Sequence, residues 1–183
     1  MTVIEKVNVI PDGSYAIDPT HSSAGFAVRH TVSTFRGGFS EIEGRLESAG
    51  GEAKLTGSAK VDSVDVEDED LRPHLLSPEF FDLERAPEIR FASTSIEADG
   101  DDLLLRGELE IAGATREIEA RGRASGPMPG PGGPNRVGLE LRGELDRTDY
   151  GLNWNMELLD GTPALGDEVE LVVDLELVEE EGD

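Results

Sequence analysis

Along most of this chain apolar and polar residues alternate one for one. From Leu103, the residues Leu105, Gly107, Leu109 and Ile111 share one face while Arg106, Glu108 and Glu110 share the other, as in a strand with one buried side. Ile118, Ala120, Gly122 and Ala124 oppose Glu117, Glu119, Arg121 and Arg123 in the same way. Val137, Leu139, Leu141, Gly143 and Leu145 oppose Arg136, Glu140, Arg142 and Glu144. The last strand is the clearest: Val169, Leu171, Val173, Leu175 and Leu177 face away from Glu168, Glu170, Asp174 and Glu176, with Val172 the exception. Less regular alternation runs through Phe26, Val28 and His30, through Ile42, Gly44 and Leu46, through Leu55, Gly57, Ala59 and Val61, and through Ile89, Phe91, Ser93 and Ser95. With a short segment at 15–18, eight or nine strands are predicted.

Turn residues separate these segments at 49–52, at Asp99-Gly100-Asp101 and at Ala112-Gly113-Ala114, and the Pro- and Gly-rich stretch 126–135 reads as a loop. One segment breaks the period of two. In Glu67-Asp-Glu-Asp-Leu71-Arg-Pro73-His-Leu75-Leu76-Ser77 an acidic start precedes leucines at helical spacing, and Pro73 limits the length. A short helix around 68–76 is predicted.

Strands with one apolar and one charged face hide the apolar faces against each other, as a sandwich or a closed barrel. Two features favour the barrel. Several strands run to eight or more residues, and closure removes the long edges they would otherwise present. Small residues also point inward, Gly57, Ala59, Ala120, Gly122, Ala124 and Gly143, and fill less of the interior than Leu or Phe. An eight-stranded barrel is just wide enough to be filled by side chains or to hold one small ligand, so these positions point to a cavity. The competing reading is that they serve only coiling and close strand approach.

Composition narrows the function. A length of 183 residues suits one domain with a sizeable core. With no Cys, disulfide scaffolds, thiolate metal sites and thiol nucleophiles are excluded. Forty acidic residues against 16 Lys plus Arg give a net charge of −24 with no basic run, which excludes nucleic acid as a partner. The acidic residues read as a solvated surface, and a salt-rich cytoplasm fits them, because at about 1 M salt the Debye length is about 3 Å. The amino-terminal stretch has neither a basic start nor an uninterrupted apolar run, so neither a signal peptide nor a membrane span is predicted, and the expected location is cytoplasmic.

Familiar catalytic signatures are missing: no phosphate-binding loop, no nucleophile elbow, no His-Glu-x-x-His. His21, His30 and His74 lie too far apart for a local metal motif. One cluster stands out, Arg147-Thr-Asp149-Tyr-Gly-Leu-Asn-Trp154-Asn155, which holds the only Trp. Arg147 and Asp149, two apart, point to the same side of an extended segment, where they suit a rim network or a polar headgroup.

An ordered set of motifs resembles the YceI-like proteins: Tyr15-Ala-Ile-Asp18-Pro-Thr-His21-Ser22, Phe26-Ala-Val28-Arg-His30, Gly38-Phe39, Val61-Asp-Ser63-Val64-Asp65, His74-Leu75-Leu-Ser77-Pro-Glu-Phe80-Phe81-Asp82, Ala86-Pro87-Glu88-Ile89-Arg-Phe91, Gly107, Gly113, Arg147-Thr-Asp149-Tyr-Gly151 and Gly166-Asp-Glu-Val169. One departure is that Leu71-Arg72-Pro73 precedes His74 where the family usually has Arg-Asp-x. The resemblance implies an all-β fold, an extended eight-stranded antiparallel lipocalin-like barrel, over residues 15–178, with 1–14 as an extension and 179–183 as an acidic tail. It further implies non-enzymatic binding of a long-chain isoprenoid lipid, a polyprenyl phosphate or quinone-like tail, in an apolar tunnel, with no metal or other cofactor. Homodimers occur among family members, which extends the expectation to a homodimer.

The inward apolar residues supply the candidate tunnel. They are Phe26, Val28 and Phe39, then Leu55 and Phe91, then Leu105, Leu109 and Ile118, and finally Leu139, Leu141, Val173 and Leu175. His21, His30, His74 and Arg147 are the candidates for the mouth or headgroup. Two alternatives stay open: an interaction module with an acidic surface, and an enzyme that uses mouth histidines and carboxylates on an apolar substrate.

Overall fold

A computed structural model describes residues 10–181 of the chain. Residues 1–9 of the expected extension and 182–183 of the expected tail lie outside the described residues. The described residues form one antiparallel sheet of eleven strands: β1 (Gly13–Ile17), β2 (Ser23–His30), β3 (Ser33–Phe39), β4 (Ile42–Ala49), β5 (Glu52–Lys60), β6 (Val64–Val66), β7 (Glu88–Asp99), β8 (Asp102–Ile111), β9 (Ala114–Pro129), β10 (Asn135–Asp146) and β11 (Leu165–Glu179). Eight of them, in the order β1-β4-β5-β7-β8-β9-β10-β11, close a ring through pairing of β1 with β11. The predicted eight-stranded antiparallel barrel is therefore present, and the described residues hold a single short α-helix, α1 (Arg72–Leu76), preceded by a 3-10 turn at Glu69–Leu71.

The extra strands have a physical reason. β11 is longer than its neighbour β1, so Leu177–Glu179 pairs with β1 while 165–174 pairs with β2. β2, β3 and β6 then continue the wall on that side. β3 and β6 were not foreseen, because Gly37-Gly38 and a three-residue run carry no legible alternation. The stretch 126–135 is not wholly loop either, since β9 continues to Pro129, with Asn135 opposite Pro129 and Arg136 opposite Met128.

The seam where β11 changes partner is closed by side chains. The Ser22 hydroxyl accepts from the Glu176 backbone N–H at 2.9 Å and donates to its carbonyl at 3.3 Å, so both groups stay satisfied between β1 and β2. Asp18 N–H donates to the same carbonyl at 2.8 Å.

The interior is packed unevenly along the barrel. At the end holding the turns 49–52, 99–102 and 129–135, Tyr15, Leu46, Leu103, Val137, Leu139 and Leu177 are at most 5 % exposed and form a solid plug. Toward the other end the inward side chains Phe26, Phe91, Ile118, Leu171 and Val173 are only half-buried. Side chains that point inward yet stay partly accessible mark an unfilled space.

Candidate functional site

That space is a cavity of about 470 Å³, inside the roughly 300–1,000 Å³ range of ligand pockets. On β1, β8, β10 and β11 the lining ends where the plug begins. Ile17 lines and Tyr15 plugs, Leu105 lines and Leu103 plugs, Leu141 lines and Leu139 plugs, Leu175 lines and Leu177 plugs. Strand alternation makes each pair consecutive inward positions, and on these four strands the floor falls between them.

The small inward residues divide between the two readings. Gly57, Ala59, Ala120 and Gly143 line the cavity. Gly122 does not: a Cβ there would collide with the Glu140 carbonyl, so it serves close approach of β9 to β10. Ala124 packs against the plug.

Of the expected tunnel residues, Phe26, Val28, Phe39, Leu55, Phe91 and Leu105 line the cavity, as do Leu109, Ile118, Leu141, Val173 and Leu175. Leu139 does not. It faces inward as its alternation requires, but lies one step below the floor and is 2 % exposed. Phe35, Leu75, Phe81, Trp154, Leu165 and Leu171 also line the cavity, although none is among the candidate tunnel residues. Leu165 and Leu171 extend the β11 pattern, whereas Leu75, Phe81 and Trp154 come from segments that lack a period of two and so show no inward face.

The mouth is built by two such segments. In the first, α1 and the turns after it sit over the barrel rim, held by Phe81, whose ring centroid is 6.0 Å from Phe26 and 5.5 Å from Phe39 in edge-on contacts. Phe81 N–H also donates to the Leu75 carbonyl at 2.9 Å. Arg72, where the motif departs from the family pattern, bonds the carbonyl and carboxylate of Asp62 and ties α1 to the wall.

In the second segment Asp146 accepts from Thr148 N–H at 2.9 Å and starts a 3-10 turn (Arg147–Tyr150), which Gly151 ends at φ +79°. Arg147, 4 % exposed, then clasps the following loop. Its Nε donates to the Gly166 carbonyl at 2.8 Å and its Nη1 to the carbonyls of Leu152 and Trp154 at 2.6 and 2.8 Å. Nη2 faces the Asp167 carboxylate at 3.4 Å. Arg147 thus touches the cavity but spends its donors on the rim, and its ion-pair partner is Asp167 rather than Asp149.

His30 and His74 also reach the cavity. His74 stands edge-on to Trp154, centroids 4.6 Å apart, and to Phe80 at 4.9 Å, and its Nε2 meets Glu79 at 2.9 Å. Tyr150 lines the cavity with its hydroxyl unpartnered, and burial pushes its pKa up to about 12, so the phenol stays protonated.

His21 is placed differently from the mouth position expected of it. It lies on the outer side of the seam, with Nδ1 2.9 Å from Asp18 and 3.4 Å from Glu176. Arg136 joins them, donating to Asp18 at 2.9 Å and Glu176 at 2.6 Å. Hydrogen bonds from His21 and Arg136 hold the Asp18 carboxyl well below the usual range, and the Asp18 bond raises His21. Asp18, His21 and Glu176 bring three ligand atoms within 4.8 Å, but the Arg136 guanidinium already supplies the cation that a metal would bring. The cluster braces the seam at the level of the floor, because its strand positions flank Leu175 and Leu177.

No helix among the described residues is long and apolar enough to cross a membrane. The model of the YceI-like domain matches residues 15–177. Protein YceI of Salmonella newport (strain SL254) is 28% identical over 172 residues, covering 91% of this chain and 87% of its own length. Among solved structures, Burkholderia cenocepacia BcnA superposes with a TM-score of 0.73 at 17% identity, over 90% of this chain and 99% of that one. A Campylobacter jejuni YCEI protein follows at 0.71 and 23% identity, over 82% and 88%. A polyisoprenoid binding domain from Saccharophagus degradans, implicated in plant cell wall breakdown, superposes at 0.66 and 14% identity, over 91% and 98%. The structural likenesses establish a common barrel, and the family match, running from the first barrel strand to the last, establishes that the chain belongs to the YceI-like family.

Proposed function

We propose that the protein binds a long-chain isoprenoid lipid in the cavity and acts as its carrier, store or buffer. The observation that carries this reading is the cavity itself: a hydrocarbon-lined space of about 470 Å³ with a floor, a wall and a mouth. An isoprenoid chain has no hydrogen-bonding groups, so its affinity derives from apolar area removed from water, about 25 cal/mol per Å² before ordering costs. Phe26, Phe91, Ile118 and Val173 already present that kind of surface. The polyisoprenoid binding domain with the same barrel supports the assignment.

Binding without catalysis fits the polar groups at hand. Arg147 is engaged by backbone carbonyls, Tyr150 is kept protonated, and His74 is packed edge-on against both Phe80 and Trp154. The hollow interior also disfavours a solid-cored interaction module.

Trp154, the only Trp, lines the cavity and reports on its contents. Titration with a polyprenyl alcohol is expected to shift and saturate its fluorescence. Val173→Phe, which puts a ring into the cavity, is expected to weaken uptake at least about tenfold while leaving the fold intact. Uptake that is unchanged in a folded Val173→Phe protein, or no uptake by the native protein, refutes the reading.

A further inference from the structure

We propose that the plug is a chain-length gauge: the straight part of the ligand ends on the ring of Ile17, Leu55, Leu105, Ala120, Leu141 and Leu175, so the cavity takes up four to five isoprene units and gains nothing from longer chains. This rests on the isoprenoid reading above and adds a limit that the reading does not contain.

The depth follows from strand geometry. On β11 the lining runs from Leu175 at the floor to Leu165 at the rim. Those ten residue steps, at about 3.3 Å each and a barrel tilt of about 40°, give a depth of about 25 Å. On β10 the lining runs from Leu141 to Arg147, about 15 Å along the axis by the same geometry, before Trp154 and Met156 prolong it. An extended isoprene unit has four main-chain bonds of about 1.5 Å in a zigzag and advances about 5 Å. A depth of roughly 20–25 Å therefore holds four or five units.

Below that level the path is shut. Leu139 and Leu103 are 2 % and 5 % exposed, and Leu177 and Tyr15 are fully buried. Interiors packed in this way give no room to an added methylene without displacement. Further units must fold back or stay outside in water, where they add no burial.

The gauge is testable with isoprenoid alcohols of three, four, five, six and eight units delivered from cyclodextrin and followed by Trp154 fluorescence. In the native protein Kd is expected to fall at least about tenfold per unit up to four or five units, then to stay level within about twofold. Leu139→Ala lies below the floor and outside the lining, and is expected to move the plateau about one unit longer without weakening uptake of the four-unit chain. Ala120→Leu raises the floor and is expected to move the plateau about one unit shorter. A Kd that keeps falling through eight units, or a plateau unmoved in the variants that fold, overturns the gauge while leaving the isoprenoid reading in place. Should one variant fail to fold, the native series and the other variant decide the matter. Absence of uptake at every length overturns both.

Discussion

Arg147 shows how a residue selected by its charge can owe its place to geometry. A guanidinium offers donors in a planar fork, and here the fork collects carbonyls from Leu152, Trp154 and Gly166 that would otherwise be left unpaired beneath the rim. Arg147→Met is expected to cost about 3–5 kcal/mol, because each stranded buried carbonyl costs about 1–3 kcal/mol, and Arg147→Lys is expected to recover little. Urea denaturation of the two variants checks this. His21 makes a contrasting case on the outer surface. Asp18 has a lowered pKa, so its contribution is present above its ordinary value of 3.8 and is lost as pH falls through the folded-state value. His21 has a raised pKa, so its contribution is complete below 6.5 and is lost as pH rises through the folded-state value. The gap in Tm between native protein and His21→Ala is therefore expected to be widest between 3.8 and 6.5 and to narrow at pH 8. A gap that is flat across this range removes the seam cluster from the account.

A single element, β11, carries both characters of the interior. Leu177 sits in the plug with no exposure, whereas Val173, two inward steps away, is half-buried against the cavity. Truncation removes packing partners in the first case and few in the second. In ligand-free protein Leu177→Ala is expected to cost about 3–5 kcal/mol, and Val173→Ala about 1 kcal/mol. Equal losses in denaturation experiments would mean that the space around Val173 is filled. The outer face of the same strand carries a different strain. Glu140 lies opposite Asp174, Glu144 opposite Glu170 and Asp146 opposite Glu168 on β10. Contact with Glu168 raises the pKa of Glu144, as expected where like charges face each other across a ladder. Arg142, 3.0 Å from Asp174, relieves one of these pairs.

Across the whole molecule the same repulsion is summed over a net charge of −24. Exposed arginine pairs such as Arg123–Asp102 and Arg106–Glu119 offset little of it, since surface ion pairs contribute weakly. Tm is expected to rise between low salt and about 1 M salt, where the Debye length shrinks to about 3 Å, and Glu144→Gln is expected to reduce that rise. A Tm indifferent to salt would show that these carboxylates do not burden the fold. Several properties were legible from the sequence alone, because they depend on neighbours in the chain: the inward faces of β8 to β11, the short helix held near Pro73, and the small residues that leave room inside. Alternation assigns a face, and a face is all that a barrel wall requires. Three others were settled only by tertiary structure. Leu139 and Leu141 are equivalent in sequence, yet one belongs to the plug and the other to the cavity, because height along the barrel axis depends on how all eight strands are staggered. His21 went to the seam because β11 changes partner at Glu176, and Trp154 and Phe81 reached the mouth because irregular segments are positioned by what they pack against and by no period of their own.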